Sequence, residues 1–215
     1  MHAFARLLGD EGVTRGLIGP REVPRLWDRH LLNCAAVADL LPPSGTVIDV
    51  GSGGGLPGVV LAVMRPELTF VLLESMERRV TWLSHVVEEL GLRNVEVDRG
   101  RAEESSRSGS ADVVTARAVA PMDRLAGWTL PLLRHGGVLL AMKGQSAQAE
   151  LDAAAPAISR LGGDAGVVIE VTSISGVEPT TVVRVEKVGA GTEAGARSTP
   201  GARRTKPPSA RRRRG

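Results

Sequence analysis

One stretch narrows the choice of fold more than any other: Thr46-Val47-Ile48-Asp49-Val50, then Gly51-Ser52-Gly53-Gly54-Gly55-Leu56-Pro57-Gly58, then apolar residues to Met64. The first five residues, rich in β-branched side chains, read as a strand. The glycines let the chain turn tightly and bring backbone N–H groups close to a ligand. Residues 57–64, closed by Arg65-Pro66, read as a helix. A strand, a glycine turn and a helix in that order form one βα unit, which needs a sheet to pack on.

The unit recurs along the chain. Further strands are predicted over residues 69–74, 94–98, 111–115 and 138–143, with helices over 76–90, 122–133 and 147–161; Gly91 and Gly136-Gly137 act as helix stops. Ahead of them, Val23, Leu26, Trp27, Leu31, Ala35, Ala38 and Leu41 fall at helical spacing until Pro42-Pro43. After Gly162-Gly163, two β-rich segments over 165–173 and 180–188 flank Gly176 and Pro179 and predict a closing hairpin. The predicted fold is α/β and Rossmann-like: a mainly parallel, seven-stranded sheet with helices on both faces and a C-terminal hairpin strand. Ligands of such sheets bind at the carboxyl ends of the strands, near the first turn.

Three regions follow: an N-terminal helical extension over 1–44, a ligand-binding domain over 45–188 and a basic tail over 189–215. The tail carries eight Arg or Lys against Glu193, a charge of +7; residues 1–188 hold the remainder of a +3 total, which is −4. The tail has almost no large apolar side chains to offset its ordering entropy, so disorder is expected, with nonspecific attraction to phosphates. Cys34 is the only cysteine, which excludes an intramolecular disulfide and a cysteine zinc site. No metal is expected. The first ten residues match neither a signal peptide nor a membrane span, so a soluble, cytoplasmic monomer without a membrane partner is expected.

The turn also narrows the ligand. A dinucleotide fingerprint needs glycine at position 56, where this chain has Leu56, and Asp49 precedes the first glycine by two residues. Both features disfavour a nicotinamide oxidoreductase. They match the acid-x-Gly-x-Gly-x-Gly pattern of S-adenosylmethionine-dependent methyltransferases. Asp49, Gly51, Gly53 and Leu56 are therefore candidate cofactor-binding positions. Glu74, ending the second strand, is placed to accept from both ribose hydroxyls. Ala102 and Glu103 follow the third strand, where adenine contacts fall, although Glu103-Glu104 also reads as a solvated acidic pair.

Several runs resemble one bacterial family more narrowly: Trp27-Asp28-Arg29-His30-Leu31-Leu32-Asn33, the turn through Gly-Leu-Pro-Gly58, Arg65-Pro66, Leu73-Glu74-Ser75, Arg78-Arg79, the strand from Ala111 to Arg117-Ala118, and Met142-Lys143-Gly144. Over residues 15–187 the chain resembles the glucose-inhibited-division-B family, which methylates guanine N7 in 16S (small-subunit) ribosomal RNA. The resemblance implies cofactor contacts at Gly51, Leu56, Ala102, Glu103 and Arg117, and as partner the small-subunit RNA, the 30S subunit or an assembly intermediate. Two departures stand out: Arg15-Gly16-Leu17-Ile18-Gly19 replaces an Asn-Leu-Thr stretch in a longer N-terminal region, and Asn33 stands where Asp is common.

Methylation at N7 uses a ring lone pair and releases no proton, so no general base is required and no catalytic residue is certain. Positioning and charge balance carry the rate. Arg117 and Lys143, ending the fourth and fifth strands, are candidates for substrate positioning. His30 reads as a hydrogen-bonded helix histidine and His135 as a helix C-terminal cation. The strand-four sequence Thr115-Ala116-Arg117-Ala118 is not the Asn/Asp-Pro-Pro-aromatic motif of exocyclic-amine methylation, and Cys34 lies too early for cytosine-C5 chemistry. Two alternatives share the same domain: a methyltransferase acting on a small molecule or protein, and a non-catalytic cofactor- or RNA-binding partner of the ribosome.

Overall fold

The computed structural model describes residues 1–173 and 176–191. Seven strands form one sheet: β1 (Thr46–Val50), β2 (Thr69–Glu74), β3 (Val95–Arg99), β4 (Ala111–Arg117), β5 (Leu133–Lys143), β6 (Val167–Val171) and β7 (Thr180–Glu186), in the spatial order β3-β2-β1-β4-β5-β7-β6. Strands β1 to β5 pair in parallel, and β7 is antiparallel to both β5 and β6. This is the expected sheet, closing hairpin included. Strand order reverses at β1 and β4, so their carboxyl ends border the crevice where such sheets bind ligands.

Side-chain alternation divides the core. Val47, Phe70, Leu72, Val113 and Leu140 point to a layer made by α1 (His2–Glu11), α2 (Leu32–Ala35), α3 (Gly58–Met64) and α4 (Glu77–Glu89). Ile48, Val71, Leu73, Val114 and Leu139 point the other way, to α5 (Met122–Thr129) and α6 (Ala147–Arg160). Between β3 and β4 the connection is a single 3₁₀ turn, Ala102–Glu104.

Three expectations change. The helix predicted over 23–41 is broken into a 3₁₀ turn at Pro20–Arg25, a π turn at Leu26–Leu31, α2, and a 3₁₀ turn at Ala38–Leu40. Pro24 has no N–H to donate, and helical spacing alone does not separate these tight and wide turns from a regular α-helix. Within the expected N-terminal helical extension, α1 supplies a helix ahead of the one placed at 23–41 and buries Phe4, Ala5 and Leu8. The helix predicted over 122–133 ends at Thr129, ahead of Pro131, and β5 begins at Leu133. His135 therefore stands in a strand instead of capping a helix. There the Gly136 N–H donates to the Lys187 carbonyl (2.7 Å) and the Lys187 N–H to the Gly137 carbonyl (2.9 Å), so sheet pairing prevails over the glycine stop.

The N-terminal segment is tied to the sheet domain through Arg65. Its guanidinium donates to the carbonyls of Ala38 (2.7 Å), Leu41 (3.3 Å) and Pro42 (2.7 Å). The basic tail predicted over 189–215 lies outside the described residues from position 192 onward. Among the described residues no helix is long and apolar enough to cross a membrane.

Candidate active site

Parallel register places Asp49 of β1 beside Thr115 of β4, and both are fully buried. Asp49 Oδ1 accepts from the Thr115 hydroxyl (2.9 Å), and Oδ2 accepts from the Gly58 N–H (3.0 Å). The carboxylate thus ties the end of β1 to the first residue of α3 and folds the glycine turn between them. Burial pushes the Asp49 carboxyl up to about 6, against the lowering effect of these hydrogen bonds. Gly58 permits the approach: a Cβ there would stand 2.4 Å from Leu72 Cδ2 and 2.6 Å from Asp49 Oδ2. Gly51 turns the chain with φ +68, where a side chain would be strained.

At the end of β2, Glu74 is only 3% exposed. Its Oε2 accepts from the Gly53 N–H (3.1 Å), its Oε1 from the Met76 N–H (2.9 Å), and Arg79 Nη1 lies 3.6 Å away. In front of it opens a cavity of about 280 Å³. Of the expected cofactor positions, Gly51, Glu74, Ala102 and Glu103 line this cavity. Gly53 stands behind it, holding Glu74. Asp49 lies beneath the turn with both oxygens engaged, and Leu56 packs against the core instead of the cavity. Met76, Arg79 and Trp128 are also part of the wall. Arg79 enters the sequence argument only within the Arg78-Arg79 run, and no spacing rule connects Trp128 to the turn.

These residues fit S-adenosylmethionine. Glu74 retains unused lone pairs facing the cavity, as two ribose hydroxyl donors require. The backbone at Gly51 carries no Cβ to fill the space, and Trp128 offers a flat apolar surface. The buried Arg79 Nε has no partner among the described residues.

A second cavity, of about 850 Å³, adjoins the first; Ala118 and Val119, directly after β4, line both. Arg117 faces this larger cavity and not the smaller one. Its guanidinium donates to Cys34 Sγ (3.3 Å), the Arg29 carbonyl (3.2 Å) and His30 Nδ1 (2.6 Å), and His30 Nε2 lies 2.9 Å from Glu22 Oε2. Burial pushes the Cys34 thiol up to about 11, so it stays protonated. Lys143 Nζ donates to the Ala120 carbonyl (2.6 Å) and to Glu150 Oε2 (2.8 Å), and Glu150 also accepts from the Met122 N–H (3.2 Å). Lys143 thereby fixes the loop after β4. That loop contains Ala118 at φ +53, the only non-glycine residue with positive φ among those described. Among the described residues no group of three or more His, Cys, Asp or Glu is placed to hold a metal ion.

The sheet order, the acid-anchored turn after β1 and the carboxylate ending β2 define an S-adenosylmethionine-dependent methyltransferase of class I. Solved structures share this fold. One is the M. jannaschii TYW2 in complex with AdoMet, with a TM-score of 0.56, 17% identity, and coverage of 72% of this chain and 74% of that one. Another, a putative S-adenosyl-L-methionine-dependent methyltransferase from Methanococcus maripaludis, has a TM-score of 0.55, 15% identity, and coverage of 80% and 93%. The family follows from sequence. The model of the GidB family, described as rRNA small subunit methyltransferase G, matches residues 1–174, and the chain belongs to that family. The ribosomal RNA small subunit methyltransferase G of Thermobifida fusca is 53% identical over 212 residues, covering 99% of this chain and 89% of that protein. The protein of the same name from Streptomyces coelicolor is 54% identical over 184 residues, covering 85% and 77%.

Proposed function

We propose that this enzyme transfers a methyl group from S-adenosylmethionine to N7 of a guanine in 16S (small-subunit) ribosomal RNA. The supporting observation is the pair of cavities meeting at Ala118-Val119, one with a nucleoside-binding carboxylate and the other with Arg117 and Lys143. Bound in the smaller cavity, S-adenosylmethionine supplies an electrophilic methyl group. Glu74 would hold the ribose hydroxyls as their acceptor, and the chain at Ala102 and Glu103 would contact the adenine.

In the larger cavity Arg117 and Lys143 supply positive charge for a phosphate or for guanine O6. Three of the nearby groups able to take a proton are engaged, His30 at both ring nitrogens, Glu22 by His30 and Glu150 by Lys143, while Glu178 stands exposed at the cavity's edge. An N7 nucleophile suits such a site because its lone pair attacks without losing a proton. The role left to the chain is to hold the base in line and to offset charge. Residues 1–188 sum to −4, a poor match for naked RNA, and this supports reading the substrate as a 30S subunit or assembly intermediate; we further propose a monomeric, cytoplasmic enzyme.

The test is N7-methylguanine mapping, by borohydride and aniline cleavage followed by reverse transcription, in small-subunit RNA from cells with and without the gene. One cleavage lost on deletion and restored by the intact gene supports the reading. An unchanged pattern would turn attention to a small-molecule or protein acceptor.

A further inference from the structure

Arg117 ends β4, yet every hydrogen bond of its guanidinium goes to the N-terminal segment: to Arg29, His30 and Cys34. A guanidinium only donates, so the 2.6 Å contact with His30 Nδ1 requires a lone pair on that nitrogen. The imidazole is then the neutral tautomer with its proton on Nε2, and that proton is donated to Glu22 Oε2 at 2.9 Å. Glu22, His30 and Arg117 form a directed chain: the carboxylate sets the tautomer, and the tautomer presents an acceptor to the cation. The same logic orients histidines that bind metals, with a guanidinium here in the place of the metal. All three residues line the larger cavity.

We infer that His30 is a positioning residue for methyl transfer, holding the Arg117 guanidinium at the substrate cavity through its neutral Nδ1 and itself oriented by Glu22. The inference rests on the reading of the larger cavity as the substrate site. Without the acceptor at Nδ1, Arg117 keeps only a carbonyl and a thiol and is free to swing toward solvent. The strained residue Ala118 follows it directly, so a displaced Arg117 also disturbs the wall shared by the two cavities.

The charged and titratable groups facing His30 are Glu22 from the turn Pro20–Arg25, Arg29 on its own segment and Arg117 from β4. Burial, Arg117 and Arg29 hold the imidazole below its ordinary 6.5, against the raising effect of Glu22. His30 is therefore neutral at pH 7. Acidification protonates Nδ1, replaces the acceptor with a second cation and releases Arg117. The reaction itself moves no proton, and since Asp49 beneath the glycine turn also titrates at about 6, the acid limb reports this contact where replacing His30 abolishes it.

The experiment measures initial rates of N7 methylation on small subunits from cells lacking the gene, between pH 5 and 8, with cofactor affinity determined separately by calorimetry. His30→Leu removes the acceptor and is expected to lower kcat about ten- to hundredfold, with cofactor Kd unchanged. His30→Asn places an amide oxygen near the Nδ1 position; it should recover most of that loss and show no acid limb. Glu22→Gln should move the wild-type acid limb to lower pH, because the anion that favours the imidazolium is gone. Equal losses in His30→Leu and His30→Asn would overturn the inference. So would a wild-type acid limb that persists unchanged in His30→Asn. Failure of the wild type to methylate subunits at any pH overturns the proposed function and this inference together; an active wild type with indifferent variants overturns this inference alone.

Discussion

Asp49 offers a quantitative test of how the glycine turn is built. Its carboxyl rises from an ordinary 3.8 to about 6, because it is fully buried. Each pH unit of that displacement is worth about 1.4 kcal/mol, so the group accounts for about 3 kcal/mol of pH-dependent stability. The sign follows from proton counting. Between pH 4 and 6 the folded state holds a proton on Asp49 that the unfolded state has released. This contribution is therefore complete below pH 4 and lost as the pH rises through 6. In Asp49→Asn the amide oxygen can accept from Gly58 while the amide nitrogen donates to the Thr115 hydroxyl, so both partners stay satisfied and the titration disappears. Urea denaturation of wild type and variant at matched pH isolates the effect, since every other titrating group cancels in the difference. Relative to wild type, the variant should gain about 3 kcal/mol on going from pH 4 to pH 7. A difference that does not change with pH would refute the reasoning and mean that Asp49 is solvated or ionised throughout.

Glu74→Gln exchanges an acceptor oxygen for an amide that confronts the Gly53 or Met76 N–H, and it removes the charge at the smaller cavity that we propose holds the ribose hydroxyls. The Kd for S-adenosylmethionine should rise roughly ten- to hundredfold by calorimetry. Gly58→Ala inserts a methyl group 2.4 Å from Leu72 Cδ2 and should destabilise the fold by about 1–3 kcal/mol, opposite to the usual gain of alanine in a helix; a raised Tm would contradict the packing. Arg65→Met keeps the apolar stem but strands three carbonyls. It should lower stability by about 2 kcal/mol in urea while leaving cofactor affinity at wild-type level, since Arg65 does not line the cofactor cavity.

What the sequence disclosed of this site, and what it withheld, divides by range. The strand, turn and helix around Gly51 were legible because alternation, glycine and proline act within a few residues, and β2 was read to its terminal residues for the same reason. The presence of Asp49 was legible, but its role was not. That role depends on β1–β4 register, which brings in Thr115 from 66 positions away. The N-terminal segment was harder still. Leu26, Leu31 and Ala35 satisfy helical spacing whether the turns are regular or widened, so the π turn at Leu26–Leu31 leaves no mark in the spacing. His30 shows the limit most clearly. In sequence it is one polar residue on a helical face, and a hydrogen-bonded helix histidine is the natural reading. Its partners lie 8 and 87 residues away, and only their simultaneous approach fixes which nitrogen carries the proton. A neutral acceptor beside a permanently charged arginine has no local signature. The arrangement exists because the N-terminal segment and the end of β4 meet at the larger cavity, whose wall they build together.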